Sequence, residues 1–116
     1  FSPHVLPIYR GILETIYVDI KETDKFGYNV NYERILETYK EFYATDYFIK
    51  IMGEEYSEIK DVVNTNNTQI SFHVGKNRRL TIVSVIDNLL KGAAGQAVQN
   101  MNLMLGFDEL TALKNE

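Results

Sequence analysis

Alternation dominates the first part of the chain. In "GILETIYVDI", residues 11–20, Ile12, Ile16, Val18 and Ile20 fall on one side and Leu13, Thr15, Tyr17 and Asp19 on the other. That period of two predicts a half-buried strand. After the turn-rich "KETDKFGYN" the period lengthens, and Tyr32, Ile35, Leu36, Tyr39, Phe42 and Tyr43 recur at helical spacing. Asn31 stands where a short amide side chain can accept from a free N–H in the first turn. An aromatic stripe at this spacing reads as core rather than as a binding face. "YFIKIM" (47–52) predicts a short strand, and "GEEYSEIKDVVNTNN" a polar crossing. "TQISFHV" (68–74) and "RRLTIVSVID" (78–87) flank "GKN" and predict a hairpin. The second of these strands is apolar on both faces, which predicts a central strand covered on both sides. A last helix is expected from Lys91 to Leu105, stopped by Gly106 as a left-handed cap, with Phe107 folding back onto the final turn.

The order strand, helix, strand, strand, strand, helix predicts an α+β fold, a mostly antiparallel four-stranded sheet with helices packed on it. At 116 residues the chain is expected to be a single domain with a real core. One long helix cannot cover both faces of four strands. Some sheet surface is therefore expected to be covered by a missing part of a larger protein or by a second subunit, giving a homo-oligomer through the sheet face. The opening "FSPHVLPIYRGI" reads as a piece of a longer protein rather than a complete one.

Composition narrows the function classes. A net charge of −4 argues against binding nucleic acid or an anionic membrane through a basic face, and the basic "KNRR" (76–79) is explained by a polar turn. No apolar run approaches the roughly 18–20 residues of a membrane span. The absence of cysteine excludes disulfides and thiolate metal sites and fits a reducing compartment, so a cytoplasmic location is expected. It also removes any thiol nucleophile.

The remaining catalytic inventory is thin. His73 sits between Phe72 and Val74 in a strand and reads as structural. His4, between Pro3 and Pro7 in a loop leading to a strand, is the better-placed functional group. Glu54, Glu55, Glu58 and Asp61 lack metal-ligand spacing. The stretch "KGAAG" (91–95) is not a Walker loop, whose Lys follows the last Gly and precedes Ser or Thr. Two readings of it stay open. Gly92, Ala93, Ala94 and Gly95 could let a flat or extended visitor approach the first-turn N–H groups and the positive end of the helix dipole. Gln96, Gln99 and Asn100 would then offer paired donors and acceptors. Alternatively, the small residues serve close packing of the helix on a strand, where they let backbones approach.

Three segments carry a resemblance. "VSVIDNLLKGAAGQAVQNMNLMLGFDELTAL" resembles the C-terminal signature of N-acetyl-gamma-glutamyl-phosphate reductases. "FSPHVLPIYRGILETIYV" is similar to that family's "FTPHLVPMxRGILxTIYV", and "IKDVVNTNNTQISFHV" to its "TKDVxGSNxCDIGFHV". Asn64 stands where Gly is usual, and Gln69 where Asp is usual. A shorter "KGAAxxAVQ" is shared with aspartate-semialdehyde dehydrogenases, the nearest alternative.

The resemblance implies an arginine-biosynthetic enzyme that reduces N-acetylglutamyl phosphate to the semialdehyde with NADPH, through a cysteine thioester and a histidine acid/base. It implies an N-terminal Rossmann domain followed by a substrate and dimerisation domain, whose last helix returns to the cofactor side. This chain has no G-x-G-x-x-G fingerprint and no cysteine, and the family's "HRH" segment lies upstream of anything present, so His4 does not inherit that role. It is expected to be roughly the last third of the enzyme, inactive alone. No catalytic or metal-binding residue is assigned. Gln96 and Asn88 match positions near the nicotinamide end of NADPH, with Gly92 and Gly95 permitting its approach. Arg10 is the candidate for an anionic substrate group, with His4 beside it in the substrate-binding set. A structural ion pair is the competing reading for Arg10, and a non-catalytic dimerisation module the competing reading for the chain.

Overall fold

The structure, a computed structural model, describes residues 6–114. Its elements follow the predicted order: β1 (Ile12–Asp19), α1 (Tyr32–Phe42), β2 (Ile49–Gly53), β3 (Thr68–Val74), β4 (Arg79–Ile86) and α2 (Gly95–Leu105). The strands form one sheet in the order β1-β4-β3-β2. β4 pairs antiparallel with both β1 and β3, whereas β2 pairs parallel with β3. The sheet is mixed rather than purely antiparallel. The long crossing of residues 54–67 is what permits the parallel pair, since parallel neighbours cannot be joined by a tight turn.

The core lies between α1 and one sheet face. Ile35 of α1 meets Ile70 and Phe72 of β3 and Leu80 and Ile82 of β4, all buried. An eleven-residue helix is marginal alone. Burial of each such side chain stabilises by about 2 kcal/mol, so α1 exists largely because it packs. Asn31 caps it as expected, its Oδ1 accepting from the Arg34 N–H at 2.9 Å. Tyr39 stands edge-on to Phe72 at 4.5 Å. Phe42 departs from the predicted core stripe: it packs edge-on to Tyr43 at 4.9 Å and remains exposed.

β1 is an edge strand, and here the expectation of half-burial fails in an informative way. Ile12, Ile16 and Val18 pair with Ile86, Ile82 and Leu80, which puts them on the sheet face that carries α1. But α1 packs over β2 and β3. Ile12 is consequently left 48% exposed, with Ile16 and Val18 little better covered.

The opposite face is crossed by residues 54–67, which include a short 3-10 turn at Ile59–Asp61. Along this path the Ser57 N–H donates to Ser71 Oγ at 3.3 Å. Val62 in the crossing and Val85 in β4 are both fully buried. Elsewhere on this face the predicted two-sided cover of β4 is missing. Thr81 and Val83 line an open cleft of about 390 Å³ with Ser71, His73 and Tyr56. His73, expected to be structural, is exposed there.

The last helix also differs from the prediction. Leu90–Ala94 form a single π turn, and the α-helix proper begins at Gly95. Gly106 takes the left-handed conformation expected of it, with φ +71°. The Phe107 N–H returns to the Asn102 carbonyl at 2.8 Å, although the Phe107 ring stays exposed.

Helix α2 is inverted relative to an ordinary surface helix. The residues it turns inward are Gly95, Gln99 and Asn102, whereas Ala97, Met101, Met104 and Leu105 form a stripe turned outward. Among the described residues no helix is long and apolar enough to cross a membrane.

Candidate functional site

The sheet, the crossing loop and the last helix meet at one corner, and Asp87 is its hub. The residue directly follows β4, and its side chain is fully buried. Oδ1 accepts from the backbone N–H groups of Leu89 at 2.8 Å and Leu90 at 3.1 Å. Oδ2 accepts from the Asn64 N–H at 2.7 Å and faces Arg10 Nε at 3.0 Å. Burial alone would push this carboxyl up, but the three backbone donors and the Arg10 guanidinium outweigh it and hold the group below its ordinary value of 3.8.

A pH dependence follows with a definite sign. A carboxyl whose folded value is depressed contributes stability that is fully present above the unfolded value and is lost as pH falls through the folded one. Resistance to urea should be flat from neutrality to about pH 5 and decline below about pH 4. Asp87→Asn should be less stable at neutral pH and should flatten that acid limb. Chemical denaturation at stepped pH measures it; parallel acid limbs in the two proteins would remove Asp87 as the cause.

Arg10 is held on two sides. Beyond the Asp87 pair, its Nη1 donates to the Asn64 side-chain oxygen and its Nη2 lies 3.4 Å from Asp87 Oδ1. The structural ion pair weighed against anion binding is therefore present. Asn64 adopts φ +64°, a left-handed conformation that Asn tolerates better than most residues and that Gly takes freely. The position is thus one that Gly could also occupy. Asn88 joins the same corner, its Oδ1 accepting from the Gly11 N–H at 2.7 Å.

The helix start is not the bare donor array that its small residues suggested. Asp87 occupies the N–H groups of Leu89 and Leu90, while the Gly92 N–H bonds the Asp87 carbonyl at 3.0 Å and the Ala94 N–H the Leu89 carbonyl at 3.2 Å. Gly95 is accounted for within the chain: a Cβ there would lie 2.2 Å from Asn66 Oδ1 and 2.9 Å from the Leu90 carbonyl. Gly92, Ala93 and Ala94 do remain exposed. Gln96 follows them, half-buried, with Nε2 donating to Asn100 Oδ1 at 2.9 Å. Its own carbonyl oxygen is left available.

The structure thus brings Arg10 and Asn88 together around Asp87, with Gly92 beside them. Gln96 stands on the next turn with Asn100 rather than in that cluster, and His4 lies outside the described residues. Sequence reasoning passed over Asp87, Asn66 and Lys91, noted Asn64 only as a departure from Gly, and offered Gln99 to a visitor, whereas the structure buries Gln99 and commits its amide to Asn66, Lys91 and Glu109. Only Asp87 had a legible signal: an Asp after a strand and just before a helical run is a cap. The others act through side chains that meet only when distant segments fold together.

Comparison with known proteins adds the family. A model described as the dimerisation domain of semialdehyde dehydrogenase matches residues 1–88. The chain is 49% identical over 115 residues to an N-acetyl-gamma-glutamyl-phosphate reductase of Caldicellulosiruptor bescii, covering 97% of this chain and 32% of that protein. For the reductase of Methanocaldococcus jannaschii the identity is 42% over 114 residues, with the same two coverages. The chain therefore spans about a third of the length of these curated relatives. Among solved structures, aspartate semialdehyde dehydrogenase II of Vibrio cholerae superposes with a TM-score of 0.65 at 19% identity, over 87% of this chain and 29% of that one. A probable aspartate-semialdehyde dehydrogenase of Pseudomonas aeruginosa gives 0.63 at 20% identity, over 85% and 28%. At such identities these two speak to the fold, and they share it. With the family model covering three quarters of its length, the chain belongs to the semialdehyde dehydrogenase dimerisation domain family.

Proposed function

We propose that these residues are the C-terminal third of an NADPH-dependent reductase that converts N-acetylglutamyl 5-phosphate to the 5-semialdehyde, and that they supply its substrate and dimerisation portion. The observation that carries the division of labour is the inverted helix α2. A helix with amides inward and a Met and Leu stripe outward leaves apolar area in water unless a second body covers it. In this reading the outer stripe docks on the nucleotide-binding part of the same reductase, and a second copy covers sheet surface that α1 and the crossing loop leave open.

The residues present fit the amide end of a nicotinamide cofactor better than its phosphates. Of the N–H groups at the helix start, those of Leu89, Leu90, Gly92 and Ala94 are already bonded within the chain, which weakens it as a pyrophosphate cradle. The exposed Gly92–Ala94 surface leads instead to Gln96 and Asn100, whose remaining donor and acceptor suit a carboxamide. When bound, such a cofactor supplies a hydride. Gln96 would orient the carboxamide, and Gly92 would let the ring come close. Asn88, apart from Gln96 in the Asp87 corner, has its oxygen committed to Gly11 and would meet the cofactor through its side-chain N–H₂. Gly95 contributes by seating the helix.

Arg10 would hold the substrate's phosphate or carboxylate. Asp87 and Asn64 fix the plane of the guanidinium, and its partly exposed outer edge keeps N–H donors free for an anion. His4 belongs to the same proposed substrate-binding set. Because the chain contains no cysteine, the thioester step must come from another part of the reductase.

The test is kinetic and uses the full-length reductase. Gln96→Ala should raise the KM for NADPH by up to about tenfold, the worth of one neutral hydrogen bond, and leave the KM for the acyl phosphate unchanged. An unchanged NADPH KM would remove Gln96 from the cofactor site. An aspartate-semialdehyde dehydrogenase reading rests on the shared fold and the short "KGAAxxAVQ" stretch alone.

A further inference from the structure

The inverted helix raises a mechanical question. Apolar packing is non-directional and tolerates rotation, whereas hydrogen bonds fix an angle. Helix α2 faces its own domain with polar side chains, so its rotation about its axis must be set by those bonds.

Gln99 is their centre, at 8% exposure. Its Oε1 accepts from Lys91 Nζ at 2.7 Å and from Asn66 Nδ2 at 3.2 Å, and its Nε2 donates to Glu109 Oε1 at 2.5 Å. The three partners come from different segments: the crossing loop before β3, the π turn, and the stretch after α2. Asn66 is itself buried and lies against Gly95. Lys91 is drawn into the domain with its ammonium 5.4 Å from the centre of the Phe48 ring. Asn102, 1% exposed, fastens the far end by donating to the Glu109 and Thr111 carbonyls at 3.2 and 2.9 Å. Both acceptor sites of the Gln99 carbonyl are used, and the bonds tie the side chain to three separate segments at once.

We infer that Gln99, clamped by Lys91, Asn66 and Glu109, is a positioning residue that sets the rotation of α2 and thereby aims Gln96 at the cofactor. The two glutamines are three residues apart on one helix, so a rotation that displaces one displaces the other. This inference rests on the reading of Gln96 as a cofactor contact.

The test exploits the polarity of one bond in the full-length reductase. Gln99→Glu keeps an acceptor for Lys91 and Asn66 but sets a carboxylate against Glu109. The expected result is a rise in the NADPH KM of about tenfold with the acyl-phosphate KM unchanged. Adding Glu109→Gln restores a donor and acceptor pair with its direction reversed, and the NADPH KM should return to within about twofold of the original. A purely structural role would move the melting temperature without this split and without this rescue. An unaltered NADPH KM in Gln99→Glu, or a double variant that fails to recover, overturns the clamp. Gln96→Ala run in parallel separates the two claims: if it raises the KM while Gln99→Glu does not, the clamp fails and the cofactor reading stands. If Gln96→Ala has no effect, the cofactor reading itself falls. Should Gln99→Glu not fold, Asn66→Ser removes only the 3.2 Å bond, and an unaltered NADPH KM there overturns the clamp equally.

Discussion

Replacing Asp87 with Ala should cost roughly 3 kcal/mol and lower the melting temperature by on the order of 10 °C. The side chain is fully buried, and its removal strands four donors at once: the N–H groups of Leu89, Leu90 and Asn64, and the Arg10 guanidinium. A buried pair broken from one side leaves the surviving charge desolvated, and that residual charge, more than the lost attraction, dominates the effect. Arg10 retains 31% exposure of its side chain, which places the figure at the lower edge of the range for buried pairs. Asp87→Asn keeps an acceptor for the turn and gives up the charge, so it should fall between Ala and the natural residue. Urea denaturation of the three proteins gives the order directly. A loss below about 1 kcal/mol for Ala would mean that water replaces the carboxylate at this corner.

Gly95→Ala should destabilise by about 2–3 kcal/mol, against the local preference. Within a helix the same change ordinarily stabilises by roughly 1 kcal/mol, because Gly has the greater backbone freedom to lose. Gly95 has ordinary helical dihedrals, so it is not kept for its backbone angles. The new methyl would fall 2.2 Å from Asn66 Oδ1, well inside contact distance, and 2.9 Å from a backbone carbonyl that cannot step aside. Steric exclusion outweighs propensity here. A double-mutant cycle with Asn66→Ala separates the two neighbours. Removing the amide should recover part of the loss, so the two costs should not add. Additivity would show that Leu90, not Asn66, is the obstacle.

These two positions also show where sequence reading reached and where it stopped. β3 was legible to its ends because alternation, a short connection and a long apolar partner strand agreed. β1 was legible as a strand, but not as an uncovered one: periodicity reports which side is apolar, and coverage depends on where α1 lands. The π turn was invisible, because no residue type in "LLKGAA" marks the five-residue bonds from Gly92 to Asp87 and from Ala94 to Leu89. "KGAAG" displayed its small size without its reason, and at Gly95 the reason is Asn66, 29 positions earlier. The Arg10 ion pair was one of two readings left open, since its partner lies 77 residues along the chain.

The inverted helix has a consequence for the order of folding. Collapse is driven by apolar burial, and α2 has little of it to offer its own domain. Its buried contacts are directional bonds that gain strength only after the crossing loop, the π turn and the segment after the helix are in place. The sheet with α1 is therefore the part that can assemble first, and the stretch from Leu90 to Leu113 orders onto it afterwards. Local opening follows the same hierarchy in reverse. The segment that carries the proposed cofactor contact should therefore exchange its amide hydrogens ahead of the sheet and α1, which hydrogen exchange measures.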